Sequence, residues 1–250
     1  MQIFKPAEVW LRKVRNRIAR VSHRGTAVTC PVCSESFKGY LPAGRGDKIR
    51  PNAICPGCRS RERDRLVMLF IRKFPEPLIQ RQMTLLHIAP EPCLQTHFRS
   101  DIGAGYRSAD LIRRDVDMQM DVQNLQLEDG SVDAVFCSHV LQDVPDDVKA
   151  LKEIARILRP EGWAILNIPM LVERTHEHHT PKNERSGWDK RPPEHLRSYG
   201  PDYVDRLRGA GFIVTVSAAD DLTDTAEERL RFGIDGDGTG VVHFVQKPPA

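Results

Sequence analysis

Four cysteines, two acids and a few histidines are the residues of this 250-residue chain whose types and spacing could support chemistry. Cys30-Pro31-Val32-Cys33 and Cys55-Pro56-Gly57-Cys58 form two Cys-x-x-Cys knuckles with 21 residues between them. Four thiolates in two short knuckles suit the tetrahedral preference of zinc, and a two-residue gap lets both sulfurs of a knuckle reach one ion. A closed four-sulfur site leaves no position for substrate, so the ion expected here is structural. The apolar residues between the knuckles (Phe37, Tyr40, Leu41, Ile49) are few, and the metal would supply much of the ribbon's stability. Cys93 and Cys137 are expected as core thiols.

The acids are Glu91 and Asp110. Leu85, Leu86 and Ile88 read as a buried strand that ends at Ala89-Pro90. Pro92 suits a first helical position, where its missing N–H costs nothing, and Tyr106–Asp110 reads as a second strand ending in a carboxylate. Strand, tight turn, helix and acid-tipped strand make the unit that binds an adenosine ribose: the helix N-terminus offers N–H groups and the acid accepts both hydroxyls. The turn lacks the glycines that close ligand approach usually selects. A nicotinamide dehydrogenase would need Gly-x-Gly-x-x-Gly before Asp110, and residues 86–91 do not supply it.

The elements that must position these residues follow from periodicity. Residues 5–24 place Trp10, Leu11, Val14, Ile18 and Val21 at helical spacing, with Arg12, Lys13, Arg15, Arg17, Arg20 and Arg24 between them. Residues 61–73 read as a connector helix with Ser60 as N-cap and Pro75 and Pro77 beyond its end. Strands at 118–122, 132–139, 163–168, 212–216 and 240–245 alternate with helices at 146–158 and 201–209, the pattern of a parallel sheet covered on both faces. The polar stretch 170–195 reads as a long functional loop. The expected organisation is a basic amphipathic helix over 1–28, a zinc ribbon over 29–60, a connector over 61–82 and an α/β domain over 83–250.

With 40% hydrophobic and 28% charged residues the composition is that of an ordinary globular protein. No run reaches the ~18 apolar residues of a membrane span and no signal-peptide core opens the chain, so a cytoplasmic location is expected. The net charge of +3 conceals an asymmetry: residues 1–73 carry +12 and the remainder −9. A basic front end suits an anionic partner, RNA or a membrane surface; it equally suits a solvated face, with the helix stripe packed on the body.

Several segments together resemble the class I S-adenosylmethionine (SAM)-dependent methyltransferases, over roughly residues 83–247. Ser131–Leu141 is similar to their fourth-strand motif, and Leu151–Gly162 resembles their "Glu-Ile-x-Arg-Val-Leu-Lys-Pro-Gly-Gly" helix and turn. The chain also resembles a bacterial subset in which a Cys-x-x-Cys ribbon precedes a first motif reading Ala-Pro-Glu. The resemblance implies a doubly wound, mostly parallel, seven-stranded Rossmann-like α/β sheet whose last two strands form an antiparallel pair. It implies SAM as cofactor beside structural zinc, with His87, Ala89, Pro90, Glu91, Asp110, Asp121, Val122 and Ser138 at the SAM site. Asp121 matches the acid that holds the adenine amino group, and Glu91 would hold the ammonium. Departures from the family pattern are His87 for an acid, Ala89-Pro90-Glu91 for Gly-x-Gly, Gln142-Asp143 for Glu-His, and Glu161 for the first turn glycine.

SAM carries a reactive methyl, so the protein mainly positions an acceptor, and a hydroxyl acceptor needs a base. His139 and His195 are the candidate catalytic residues; Asp143, His176, His179 and Tyr199 are further possible bases. The acceptor expected is a small molecule or glycoconjugate. RNA gripped by the basic ribbon is the second reading, and a binding protein that keeps the fold without turnover is the third.

Overall fold

The computed structural model describes residues 6–44, 49–74, 76, 78–178 and 195–250, without the side chains of 6–13. His179, Pro75, Pro77 and the side chains of Trp10 and Leu11 lie outside the described residues. Contacts group the chain into two units, Met1–Leu78 with Ser217–Val241, and Ile79–Val216 with Val242–Ala250. Residues 217–241 thus join the cysteine-bearing unit, although the sequence reads them as part of the α/β domain.

In the first unit, helix α1 (Pro6–Ser22) leads into an antiparallel pair, β1 (Arg24–Thr29) with β2 (Ser36–Phe37). A second pair, β3 (Leu41–Ala43) with β4 (Arg50–Ile54), follows. Ile18 and Val21 of α1 are each 62% exposed, so this end of the apolar stripe is not packed away. Helix α2 (Glu62–Lys73) starts one residue later than expected: its N-cap is Arg61, whose N–H donates to Asp64 Oδ2 at 2.8 Å. Leu66 to Phe70 lie in the core, while Arg61 and Arg72 are exposed. Arg65 is fully buried and lies over the Tyr40 ring at 3.9 Å. Its guanidinium donates to the carbonyls of Asn52, Ala53, Ser60, Phe232 and Gly233 at 2.6 to 3.1 Å.

The second unit is built on a seven-stranded sheet. Along the chain its strands are β5 (Leu85–Ile88), β6 (Tyr106–Asp110), β7 (Met118–Gln119), β8 (Val132–Ser138), β9 (Leu158–Asn167), β12 (Ile213–Ser217) and β13 (Val242–Gln246). Their spatial order is β12-β13-β9-β8-β5-β6-β7. The ladders among β5, β6, β7, β8 and β9 are parallel and β13 runs antiparallel to β9. Helices α3 (Pro92–Ile102), α4 (Asp147–Ile157) and α5 (Tyr203–Gly209) accompany the sheet. The apolar stripe of α4 (Ala150, Leu151, Ile154, Ile157) packs into one core with Leu86, Val135, Leu166 and Val245. This is the seven-stranded, mostly parallel Rossmann-like methyltransferase fold.

Two expectations shift. β9 begins at Leu158, because the expected turn 159–162 is absorbed as an irregularity in the β8–β9 ladder. There Glu161 takes φ +62 and its N–H donates to the Lys247 carbonyl. Stretch 170–195 is not all loop: β10 (His176–Glu177) pairs antiparallel with β11 (Arg197–Ser198). In the first unit, short helices α6 (Ala219–Leu222) and α7 (Ala226–Phe232) complete the elements.

Candidate active site and four-cysteine centre

The register of the sheet brings together residues that the resemblance places at the cofactor. Ile88 stands opposite Ala109 on one side and Cys137 on the other, so Ala89, Asp110 and Ser138 emerge at the same level of three adjacent strands. β5 is also where the sheet order reverses, with β6 on one flank and β8 on the other. A crevice beyond the carboxyl ends of such strands is the ligand site of open α/β sheets.

Ala89 has φ +50, the left-handed region that favours glycine. Its N–H donates to the Ala109 carbonyl at 2.8 Å. The turn has therefore kept the glycine-type conformation without the glycine. Glu91 is the N-cap of α3, with Pro92 in the first turn, but its side chain does not cap the helix. Glu91 Oε2 instead meets His87 Nε2 at 3.0 Å, and His87 Nδ1 meets the Tyr106 hydroxyl at 2.9 Å. His87 is completely buried, edge-on to Phe136 with ring centroids 4.9 Å apart. The Glu91 carboxylate accepts from His87 Nε2–H, which leaves Nδ1 of a neutral ring to accept from the Tyr106 hydroxyl. His87, expected at the cofactor itself, is buried behind Glu91.

Asp110 closes its own turn: Oδ1 accepts from the N–H groups of Ile112 and Arg113 at 2.8 and 2.9 Å. Among the described residues Oδ2 has no partner. Arg113 ties this turn to the first, donating to the Pro90 carbonyl at 2.8 Å. Asp121 follows β7 and accepts from the Gln123 N–H at 2.9 Å. Val122, at 5% exposure, belongs to the core cluster, and Ser138 is equally covered.

On the other flank of the switch, His139 takes φ +56 and its N–H donates to the Asn167 carbonyl at 2.7 Å. Strained conformations of this kind concentrate at functional sites. After it comes a tight turn at Leu141–Asp143, where Gln142 Nε2 donates to the His139 carbonyl at 2.6 Å and to Asp143 Oδ2 at 3.0 Å. Chain returning from the 179–194 segment docks here: Leu196 N–H donates to the Gln142 carbonyl, and His195 Nε2 stands 3.8 Å from Asp143 Oδ1. The structure therefore brings Asp143 and His195 together and leaves His176 exposed.

Tyr199 is no base. It is fully buried, donates to Asp147 Oδ2 at 2.6 Å, and burial drives its phenol pKa upward. Sequence reasoning missed its network altogether. Arg206 binds both oxygens of Asp147 at 2.8 and 2.9 Å and Glu177 at 2.7 Å. Arg197 holds the carbonyls of Leu141, Val144 and Pro145 and pairs with Glu177. These contacts clamp the β10–β11 stem to the turn that carries Asp143.

In the first unit the four cysteine sulfurs lie within 4.8 Å of one another. Cys30 to Cys58 is 3.7 Å and Cys33 to Cys55 is 3.8 Å. A tetrahedron of ~2.3 Å zinc–sulfur bonds has edges of about 3.8 Å, so the cluster fits zinc. The knuckles are conformational copies. Ser34 and Arg59, each just after a second cysteine, take φ +60 and +68. Their N–H groups donate back to the carbonyls of Cys30 and Cys55. Ser60, expected as a helix cap, serves the thiols: its Oγ is 3.3 Å from Cys30 Sγ and 3.2 Å from Cys58 Sγ. Cys137 is buried as expected, and burial pushes its thiol upward; Cys93 is only half-buried.

Residues 98–166 match the family described as "Methyltransferase domain". A 49-residue stretch is 45% identical to an uncharacterised 37.1 kDa protein in transposon TN4556 of Streptomyces fradiae, spanning 20% of this chain and 14% of that protein. A solved structure similar to this chain is a Haloferax volcanii complex containing the Trm112 methyltransferase activator. That likeness has TM-score 0.48 and 18% identity over 74% of this chain and 89% of the other. Another is an S-adenosylmethionine-dependent methyltransferase from Mesorhizobium loti, at TM-score 0.44 and 15% identity over 69% and 94%. The family match runs from α3 to β9, across the strands that carry the site. The matched stretch is thus of methyltransferase-domain type, and it lies in the seven-stranded sheet of a chain that also holds a four-cysteine cluster.

Proposed function

We propose that this protein transfers the methyl group of SAM to a small-molecule or glycoconjugate acceptor, with a zinc ion held by Cys30, Cys33, Cys55 and Cys58 as a purely structural element. The observation that carries the reading is the pair of turns at the switch point, Ala89 in the left-handed conformation beside Asp110 with one carboxylate oxygen uncommitted. When bound, SAM supplies an electrophilic methyl on a sulfonium. Asp110 Oδ2 would accept the ribose hydroxyls, Asp121 would take the adenine amino group, and Glu91, with one oxygen fixed by His87, would take the ammonium. His195, oriented beside Asp143, would remove the acceptor's proton; His139 contributes through its strained backbone at the end of β8.

A calorimetric titration of SAM into the zinc-loaded protein tests the cofactor half. The control is Asp110→Asn, because an amide oxygen still accepts the two N–H groups of the turn. Micromolar binding lost in the variant is expected; no binding up to millimolar SAM, with or without acceptor candidates, leaves the reading without support. For the acceptor, turnover of small hydroxylated acceptors should be nearly independent of salt. Turnover that appears only with RNA and collapses with added salt would transfer the reading to an RNA substrate. His195→Ala should lower the rate and remove the fall in rate at low pH that protonation of a histidine base produces.

A further inference from the structure

Residues 235–240 read Asp-Gly-Asp-Gly-Thr-Gly, so oxygen-bearing side chains recur at alternate positions and a glycine follows the third. This is the opening spacing of loops that wrap calcium, with ligands at the first, third and fifth positions and glycine at the sixth for the sharp turn. The backbone agrees. Gly240, the sixth residue, has φ +66, and Thr239 N–H donates to the Gly236 carbonyl at 3.0 Å.

Such loops also use a bidentate acid at the twelfth position. Here that residue is Gln246, which cannot supply one. A carboxylate is available from elsewhere in the same unit. Glu62 is 3% exposed; its Oε1 accepts from Arg50 Nε at 2.8 Å and its Oε2 has no hydrogen-bond partner among the described residues. Glu62 lines a groove of about 240 Å³ together with Asp235, Gly236 and Asp237. A side chain at position 238 would place its Cβ 2.8 Å from Glu62 Oε1, so glycine lets the loop lie on this buried acid. Thr239, 5% exposed, also has an Oγ1 without a partner. An orphaned buried oxygen costs free energy unless something binds it.

We propose that the loop Asp235–Gly240 and Glu62 bind a calcium ion. The available donors are all oxygens, which select a hard cation rather than zinc. Glu62, Asp235 and Asp237 with Arg50 leave a local charge of −2, which one divalent ion balances. Among the described residues only the four cysteines already bring three ligand-type groups within 4.8 Å of one another. Calcium must therefore draw Asp235 and Asp237 toward Glu62, tightening the loop. An organic polyamine would bridge the separated carboxylates without that contraction, which distinguishes the two ligand classes.

The test is calorimetric titration of calcium into the full, zinc-loaded chain, with spermidine titrated in parallel and thermal unfolding followed alongside. One calcium per chain is expected, with a raised Tm and a loop less open to proteolysis. Asp237→Asn changes an exposed side chain and should weaken calcium at least tenfold while zinc content stays at one per chain. Glu62→Gln should do the same, but it alters a buried residue, so Asp237→Asn carries the decision. No calcium binding at millimolar concentration, equal affinity in Asp237→Asn, or binding of spermidine in place of calcium would each overturn the proposal.

Discussion

His87 Nε2 lies 3.0 Å from Glu91 Oε2 while Nδ1 of the same ring lies 2.9 Å from the Tyr106 hydroxyl, a chain of hydrogen bonds from the core to the tip of the first βα turn. With Tyr106 donating to Nδ1, Nε2 carries the proton and donates to the carboxylate, so a neutral imidazole satisfies both ends. The sequence position that departs from the family's acid thus orients the acid four residues later.

Glu91→Gln should separate orientation from charge. An amide oxygen still accepts from His87, so stability should change by less than about 1 kcal/mol. SAM affinity should fall about tenfold or more, the cost of losing a charged hydrogen bond to an ammonium. Methylthioadenosine, which has the adenosine but no ammonium, should bind both forms equally. A parallel loss for both ligands would remove Glu91 from the ammonium and make it a structural residue.

The conformation of Ala89 gives a prediction of opposite sign. A left-handed alanine costs about 1 kcal/mol relative to a glycine at the same φ. Ala89→Gly should therefore leave stability unchanged or raise it by up to about 1 kcal/mol, with SAM binding retained. Ala89→Val places a β-branched residue at φ +50 and should destabilise by more than about 1 kcal/mol. Urea unfolding of the three proteins checks both. A stabilising valine would mean that the turn is not held in this conformation.

What the sequence disclosed and what it hid divide along physical lines. The knuckles were legible because two-residue spacing alone lets two sulfurs share an ion. The strands β5 and β8 were legible because buried parallel strands are nearly continuous apolar runs. The missing glycines misled in one respect: Ala89 and Glu161 both keep positive φ, so the backbone shape outlived the residue that usually signals it. Ser60 has the type and place of an N-cap, yet its hydroxyl goes to two thiols, a choice made by tertiary packing. Arg65 could not be told from the other arginines of its helix. Its burial depends on carbonyls contributed by residues as distant in sequence as Gly233.

Arg65 is consequently the residue through which the first unit should be most easily broken. Five carbonyls depend on its five N–H donors, and lysine offers three donors without the planar fork. Arg65→Lys should leave at least two buried carbonyls unpaired and destabilise the unit by about 3 kcal/mol or more. Because Arg65 also holds the carbonyl of Ser60, whose hydroxyl meets Cys30 and Cys58, the same variant should release zinc faster to a chelator. Colorimetric zinc release measures this directly. Release at the wild-type rate would show that the guanidinium does not support the cluster.

Acid sensitivity should have a component from His243, which is 1% exposed in β13 and packs edge-on to Tyr203 at 5.0 Å. Its Nδ1 has no hydrogen-bond partner among the described residues, and burial pushes its pKa down to about 4. The unfolded chain takes up the proton near pH ~6.5, whereas the folded chain refuses it until about pH 4. Above ~6.5 both states are neutral and the residue adds no pH dependence. Between those two values the unfolded state binds more protons, so stability falls as the pH falls. The slope is at most about 1.4 kcal/mol per pH unit, roughly 3 kcal/mol in total. His243→Phe keeps a ring against Tyr203 without the titration and should flatten this part of the profile. Loss of zinc in acid affects both proteins alike, so the difference between their urea midpoints at about pH 7 and about pH 5 isolates the histidine. Identical differences at the two pH values would mean that His243 titrates normally in the folded protein.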